Sequence, residues 1–195
     1  MAAKRSSRSQ DILQALARML ENSRGSRITT AALAAELGVS EAALYRHFPS
    51  KTRMYEGLID FIEETIFARV NSITKDESDP VSQCYRIISL TLTFAEKNAG
   101  ISRLLHGDAL TGETERLHQR IAQFFSRLES QLKQILREAE ISRGLKVSPS
   151  VSVATDIMIA ILEGKISQFV RSDFKQSPTQ HWPEQWALLE NQLFK

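Results

Sequence analysis

The sequence predicts an all-α protein, and two observations carry this prediction. β-branched residues rarely alternate with polar ones, which is the pattern of a half-buried strand. Apolar residues recur instead at three- and four-residue spacing through most of the 195 residues, as on one face of a helix. The length fits one or two domains, and an apolar share of 42% is enough to bury a core.

Three short amphipathic segments occupy roughly the first fifty residues. The first carries its apolar stripe over 12–20 and is expected to end near Asn22, before Gly25. The next two are bounded by residues that suit helix caps and breaks, because Ser and Thr accept from free N–H groups, Gly adopts the left-handed turn and Pro ends a helix. These residues are Thr29, Thr30, Gly38, Ser40 and Pro49.

The rest of the chain holds longer segments with the same periodicity. Ser50 is the expected cap of the first, and a brief helical piece is expected around 101–105. The apolar stripes run over 55–73, 80–95, 117–135, 153–170 and 182–193. Together with the three short segments they predict about nine helices, with no repeats.

Charge is distributed unevenly along the chain. Residues 1–53 hold nine Lys and Arg against four Asp and Glu, a balance of +5, while the remaining 142 hold 16 against 19, a balance of −3. The total of +2 hides this division. A basic head on a mildly acidic body indicates a polyanionic partner for the head.

Several classes of protein are disfavoured. No apolar run approaches the roughly 18 residues of a membrane span, and the basic N-terminus lacks the apolar stretch of a signal peptide, so we expect a cytoplasmic protein. One cysteine and four scattered histidines argue against disulfides and a zinc site. We therefore expect no metal, cofactor or catalytic centre.

The segment 29–48 has the pattern of a helix-turn-helix motif. Ala34 lets two helices approach, Gly38 supplies the turn and Leu44 holds the second helix on the first. That second helix, 40–47, is expected to present side chains to a major groove about 12 Å wide, with neighbouring polar groups on phosphates. The expected DNA contacts are Arg27, Thr29, Thr30, Ser40, Glu41, Ala42, Tyr45, Arg46, His47 and Lys51. A flexible arm carrying Lys4, Arg5 and Arg8 is expected to reach a minor groove.

The end of this motif, Leu-Tyr-Arg-His-Phe-Pro-Ser-Lys at 44–51, closely resembles the DNA-binding head of TetR-type repressors. The resemblance implies a DNA-binding domain over 6–53 and a helical body over 54–195, with the last two helices of each chain forming a four-helix dimer interface. Nearly the whole chain, from about residue 9 onward, also resembles the TetR-type nucleoid occlusion factors, most clearly in the segments 41–54, 58–64, 94–98, 104–110 and 169–175. Such proteins bind palindromic chromosomal sites and engage the tail of the tubulin-like protein FtsZ, which prevents division rings over unsegregated DNA.

This second resemblance implies a groove for the FtsZ tail on the body. The implied residues are Phe61, Arg69, Leu90, Lys97 and Asn98. Helical geometry adds support for Phe61, which lies off the apolar stripe of its helix; the alternative is that it packs against another helix of the body. Lys97, Thr93 and Ala99 depart from the relatives' usual arginine, glycine and proline.

The last two predicted helices suit a dimer interface independently of the resemblance. Paired apolar residues recur over 153–170, a glycine there allows close approach, and two tryptophans line the terminal helix. The expected interface residues are Ile157, Ile161, Gly164, Phe169, Trp182 and Trp186.

Three alternatives remain open at this stage. A ligand-responsive repressor would share the DNA head and line a pocket in the body with residues such as Cys84, Tyr85, His106 and His118. A thiol enzyme would pair Cys84 with a histidine, although no nucleophile elbow or oxyanion loop accompanies them. The stripe over 117–135 also fits coiled-coil positions, but an internal core helix explains it as well.

Overall fold

The computed structural model describes residues 2–23 and 28–194, and side chains from residue 8 onward within those ranges. Within this part of the chain there are nine α-helices, and an isolated bridge pairs Val147 with Phe194. The helices are α1 (Ala2–Asn22), α2 (Thr30–Glu36), α3 (Glu41–Tyr45), α4 (Lys51–Asp76), α5 (Pro80–Lys97), α6 (Ala99–His106), α7 (Glu115–Arg143), α8 (Val151–Arg171) and α9 (Trp182–Leu193). The all-α prediction is confirmed.

Two of the predicted helix caps form as expected. The Thr29 hydroxyl accepts from the backbone N–H of Ala32 at 3.1 Å, and the Ser40 hydroxyl accepts from that of Ala43 at 3.3 Å. Each satisfies one of the amide donors that a helix N-terminus leaves free. Gly38, just after α2, adopts a left-handed φ of +63°, which ends that helix.

Some boundaries differ from the sequence prediction. α1 begins at Ala2, so the basic arm that we expected to be flexible continues the helix instead. No Gly or Pro interrupts residues 2–22, which is why nothing stops the helix there. A 3₁₀ turn at Asp108–Leu110, after Gly107 with φ +91°, was not predicted.

The chain divides into two compact units. The first combines the residues up to Glu63 with Asn98–Ile121, and the second combines Glu64–Lys97 with the residues from Ala122 onward. The boundaries expected from the sequence, 6–53 and 54–195, remain a prediction about the evolutionary domains.

The core of the first unit centres on a close contact between α1 and α6. Ile12, Leu16 and Leu20 are buried along α1. A Cβ atom at Gly100 of α6 would lie 1.9 Å from the carbonyl oxygen of Ala17, so only glycine allows the two backbones to approach this closely.

The second unit packs α5, α8 and α9 around apolar and aromatic side chains. Leu92 of α5 and Leu162 of α8 are completely buried. Tyr85 of α5 stacks on Trp182, whose indole N–H donates to the Ser89 hydroxyl at 2.7 Å. These contacts fix α9 on α5.

The apolar stripe of α7 is buried within the chain. Its six members are at most 8% exposed: Leu117, Ile121, Phe124, Leu128, Leu132 and Ile135. This burial is that of an internal core helix rather than of an exposed coiled-coil seam. None of the helices in the described residues is long and apolar enough to cross a membrane.

Gly100→Ala should destabilise the protein by about 2–3 kcal/mol, because the new methyl group meets backbone atoms that cannot rotate away. Gly57→Ala is the matched control, since its methyl group would meet only the side chains of Phe48 and Leu13. The free energies of unfolding from urea denaturation compare the two. Equal losses would contradict the backbone contact between α1 and α6.

Candidate nucleic-acid interface

The turn between α2 and α3 has the geometry of a helix-turn-helix motif. The backbone N–H of Val39 donates to the Ala34 carbonyl at 3.0 Å, immediately after the left-handed Gly38. Ala34 and Leu44 are 3% and 1% exposed, and α2 packs against α3. The turn that the sequence predicts at Gly38 is confirmed, and the burial of Ala34 and Leu44 agrees with the packing roles predicted for them.

α3 presents a polar surface on the side away from Leu44. Glu41, Ala42 and Arg46 are exposed, and the Tyr45 ring is 43% exposed although it is a large aromatic residue. α3 itself has only five residues and ends at Tyr45, so Arg46 is its C-cap and His47 follows it. A helix this short depends on its packing against α2 for stability.

A hydrogen-bond network that the sequence did not predict ties α3 to the start of α2. The Thr30 hydroxyl donates to the Glu41 carboxylate at 2.5 Å, and the Tyr45 hydroxyl donates to the Thr30 oxygen at 3.3 Å. All three residues were expected to meet DNA separately. Their mutual bonds instead fix the side chains of the exposed surface before any ligand arrives, which lowers the entropy lost on binding.

The other expected phosphate contacts are partly engaged within the chain. The hydroxyls of Thr29 and Ser40 accept from their own helices, as described above, and His47 lies 3.5 Å from the Ser9 hydroxyl through Nδ1. Arg27 lies outside the described residues. Within the described part of the motif, Arg46 is an exposed cation that forms no ion pair with another described residue.

Lys51 is held by a buried carboxylate. Its Nζ lies 2.5 Å from Oε1 of Glu113, and the side chains are 19% and 6% exposed. The ammonium group also lies 5.5 Å from the centre of the Tyr55 ring, a cation–π distance. Lys51 therefore anchors the start of α4 to the segment before α7, in addition to any contact that it makes with phosphate.

Two further clusters of charge continue along the first half of α4. The Glu56 side chain, 5% exposed, lies between Arg53 at 2.7 Å and Arg116 at 2.8 Å. Arg120 contacts two carboxylates at 2.8 and 3.0 Å, those of Asp60 and Glu63. The hydrogen bond to Asp60 raises the pKa of Arg120 further above its usual value. Arg53 and Glu56 are neighbours on one helix, but Arg116 and Arg120 lie about sixty positions from their carboxylates, and so no local pattern reveals those pairs.

Phe61, the aromatic residue expected to meet the FtsZ tail, is exposed in the first unit. Its side chain is 47% exposed, whereas Ile59 and Ile62 on the same helix are each 1% exposed. Phe61 thus lies off the buried stripe, as helical geometry predicts, and does not belong to the core. Asn98, also in the first unit, is partly exposed at the N-cap of α6.

The other residues implied for that groove lie in the second unit. Arg69 of α4 and Lys97 of α5 are exposed, and Leu90 of α5 is partly exposed. Thr93 of α5 is also partly exposed. The side chains are accessible, and their joint role remains a proposal.

The expected dimer residues fall into two groups. Ile157, Ile161 and Gly164 are partly exposed on α8. The other three are 2–5% exposed inside their own unit: Phe169, Trp182 and Trp186. Their side chains belong to the core that supports α9, and they are not exposed anchors.

Cys84, the nucleophile of the enzyme alternative, lies in the core of the second unit. Cys84 is completely buried, and burial raises the pKa of its thiol to about 12, so it is protonated at neutral pH. Among the described residues no group of three or more His, Cys, Asp or Glu side chains is placed to hold a metal ion. His118 is exposed and belongs to the other unit.

Comparisons with known proteins agree with this architecture. Residues 12–58 match the model of bacterial regulatory proteins of the tetR family, and residues 78–194 match the SlmA-like model of the tetracyclin repressor-like C-terminal domain. The chain is 55% identical to the nucleoid occlusion factor SlmA of Marinomonas sp. (strain MWYL1), over 99% of this chain and 98% of that protein. The chain belongs to the SlmA family. The SlmA of Shewanella amazonensis is 53% identical over the full length of both proteins.

Solved structures show the same fold at much lower identity. A TetR regulator from Haloarcula marismortui has a TM-score of 0.80 at 18% identity, over 97% of this chain and all of that one. One from Agrobacterium tumefaciens has a TM-score of 0.78 at 18% identity, over 97% and 99%. The TetR-type resemblance is thus confirmed for the fold, and membership of the SlmA family confirms a nucleoid occlusion factor and not an enzyme.

Lys51→Ala should lower the free energy of unfolding by about 1–3 kcal/mol, because the buried Glu113 carboxylate loses this cation. It should also weaken binding to all DNA sequences alike and reduce the salt slope by about one unit, as the loss of one phosphate contact does. Urea denaturation and salt titrations with palindromic and random duplexes measure both effects.

The double variant Lys51→Ala/Glu113→Gln is the control for this prediction. Because it removes the buried charge as well, it should recover stability without recovering DNA affinity. A loss confined to one DNA sequence would contradict the assignment of Lys51 to phosphate.

Proposed function

We propose that this member of the SlmA family acts as a homodimer on palindromic chromosomal sites, reads them with α3, and while bound engages the C-terminal tail of FtsZ. Division-ring assembly over the nucleoid is thereby prevented. The protein works in the cytoplasm, associated with the nucleoid. The observation that carries the proposal is the exposed, pre-ordered surface of α3 in a chain that matches SlmA proteins over their whole length.

The chemistry of the α3 surface supports sequence-specific reading. The Arg46 guanidinium matches the two acceptors of guanine in the major groove, and the Ala42 methyl group suits contact with the methyl group of thymine. Glu41 and Tyr45 are fixed through Thr30, so they offer a defined arrangement of acceptors and donors. Each good base contact contributes about 1–3 kcal/mol of discrimination.

An outward apolar face on α8 and α9 supports the homodimer. Val153 is 42% exposed, Ile157 and Ile161 are partly exposed on the same side of α8, and Leu188 of α9 is 71% exposed. Gly164 lies on this side too, and a Cβ atom there would meet nothing within 4 Å. A glycine in a helix costs about 1 kcal/mol relative to alanine, and no contact with the described residues requires this one. Close approach of a helix from a second copy accounts for it.

Gly164→Leu should shift the protein from dimer to monomer, because the larger side chain separates the two α8 helices. The matched control is Ser130→Leu, which makes a similar change on the exposed polar side of α7. Sedimentation equilibrium over a range of concentrations measures the association. A Gly164→Leu protein that dimerises as tightly as the control would contradict this interface.

An exposed phenylalanine on α4 supports the partner-binding role. Large aromatic side chains are enriched among the residues that dominate binding energy at protein interfaces. The Phe61 side chain is 47% exposed, although its neighbours Ile59 and Ile62 on the same helix are buried. Arg69 and Lys97 are exposed cations that suit an acidic peptide and set its association rate more than its affinity.

Phe61→Ala should leave DNA binding unchanged and weaken binding of a synthetic FtsZ C-terminal peptide at least tenfold, because it removes an exposed anchor without opening a cavity. Ile141→Ala is the matched control: Ile141 is 87% exposed on α7 and lies outside the proposed groove. Fluorescence anisotropy of the labelled peptide, with the protein bound to a palindromic duplex, measures the affinity.

Two results would contradict this prediction. Loss of DNA and peptide binding together would show that Phe61 supports the fold. Absence of peptide binding by the unaltered, DNA-bound protein at tens of micromolar would instead favour a ligand-responsive repressor. One protein of similar fold, FadR from Bacillus subtilis, was solved in complex with stearoyl-CoA, but at 16% identity this likeness shows the fold alone.

A further inference from the structure

A buried arginine on α6 is bonded on one edge to an aspartate. The Arg103 side chain is 5% exposed, and its Nη2 and Nε atoms donate to Oδ2 of Asp108 at 2.7 and 3.0 Å. Removing a guanidinium from water costs several kcal/mol unless its donors find partners. Asp108 neutralises the charge and, because two donors converge on it, holds the plane of the guanidinium in one orientation.

The remaining nitrogen of Arg103 reaches the C-terminal end of α1. Nη1 donates to the Leu20 carbonyl at 3.1 Å and to the Ser23 hydroxyl at 3.0 Å, and that hydroxyl itself donates to the Leu20 carbonyl at 3.1 Å. The last carbonyls of a helix have no intrahelical partner and form the negative end of its dipole. A cation that lies about eighty residues away in sequence therefore caps α1.

The close approach at Gly100 sets the position of this cap. Gly100 contacts α1 at Ala17, and Arg103 contacts it at Leu20, so the two contacts lie three residues apart on both helices. A backbone contact and a directed hydrogen bond one turn apart fix both the separation of α1 and α6 and their register. Apolar side chains alone would stabilise the contact without specifying one register.

The helix that is fixed in this way supports the DNA-reading motif. α1 packs against α2, and α2 packs against α3, which carries the exposed surface. Arg103 itself is buried and lies outside the set of residues expected to meet DNA. A displacement of α1 would change the support of α2, and recognition of base edges depends on distances of a few tenths of an ångström.

We propose that Arg103 is a positioning residue for DNA recognition: oriented by Asp108, it holds the C-terminal end of α1 so that α2 and α3 keep the arrangement that reads the palindrome. The inference rests on the proposed DNA-binding function. It predicts a loss of sequence discrimination rather than of general affinity for DNA, because the phosphate contacts depend mainly on charge.

The test compares Arg103→Met, Arg103→Lys and Asp108→Asn in the full-length protein, at a temperature at which circular dichroism shows each variant to be folded. Ser23→Ala, which removes one acceptor of Nη1 and no charge, is included because it should fold even if the others do not. Two quantities are measured: the ratio of affinities for a palindromic and a random duplex, and amide hydrogen exchange along α1.

We expect Arg103→Met to lower the affinity ratio at least tenfold, while affinity for random DNA stays within about twofold. Exchange in the last turns of α1 should become faster. Arg103→Lys should be intermediate, because lysine keeps the charge but lacks the planar fork, and Ser23→Ala should show the smallest loss. Arg120→Met removes another arginine of the same unit, whose ion pairs are with Asp60 and Glu63 of α4, and it should leave α1 exchange unchanged.

Three results would overturn the inference. A folded Arg103→Met protein with an unchanged affinity ratio would show that Arg103 does not position the motif. If the affinities for both duplexes fall in parallel with stability across the series, including Ser23→Ala, Arg103 only stabilises the fold. If the unaltered protein does not prefer the palindrome at all, the proposed function fails, whatever the exchange data show for α1.

Discussion

The contact of α1 with α6 is the constraint on which the first unit depends. The 1.9 Å separation between a Cβ at Gly100 and the Ala17 carbonyl leaves no room for a side chain, so glycine is required there. Because the two helices are this close, Arg103 of α6 can donate to the Leu20 carbonyl near the C-terminal end of α1. α1 packs against α2, and α2 packs against α3. The position of the proposed DNA-reading surface therefore depends on a contact with α6, which follows α3 by more than fifty residues in the sequence.

Buried carboxylates neutralise part of the positive charge of the basic N-terminal region. Its balance of +5 suggests a surface that attracts DNA by charge alone. Two of its cations, Lys51 and Arg53, are paired with Glu113 and Glu56, which lie outside that region and are nearly inaccessible to water. Part of the positive charge therefore anchors α4 and does not act as free surface charge.

Local features were predictable from the sequence and long-range ones were not. The caps at Thr29 and Ser40 and the turn at Gly38 depend on neighbours within four residues, so the sequence pattern suffices. The bond from Lys51 to Glu113 joins residues that no periodicity relates. An apolar stripe also does not reveal its partner: Trp182 and Trp186 pack on Tyr85 of their own chain, although the same stripe fits a dimer interface. The local geometry of the helix-turn-helix motif was accordingly predictable, and the long-range contacts that support it were not.

Genome-wide footprinting of the protein in cells tests the central claim, a nucleoid occlusion factor, most directly. We expect many palindromic sites distributed around the chromosome, because an inhibitor of division rings must mark DNA wherever it remains unsegregated. Occupancy confined to one promoter would contradict a role in nucleoid occlusion and would identify the chain as a local transcriptional repressor with the same fold.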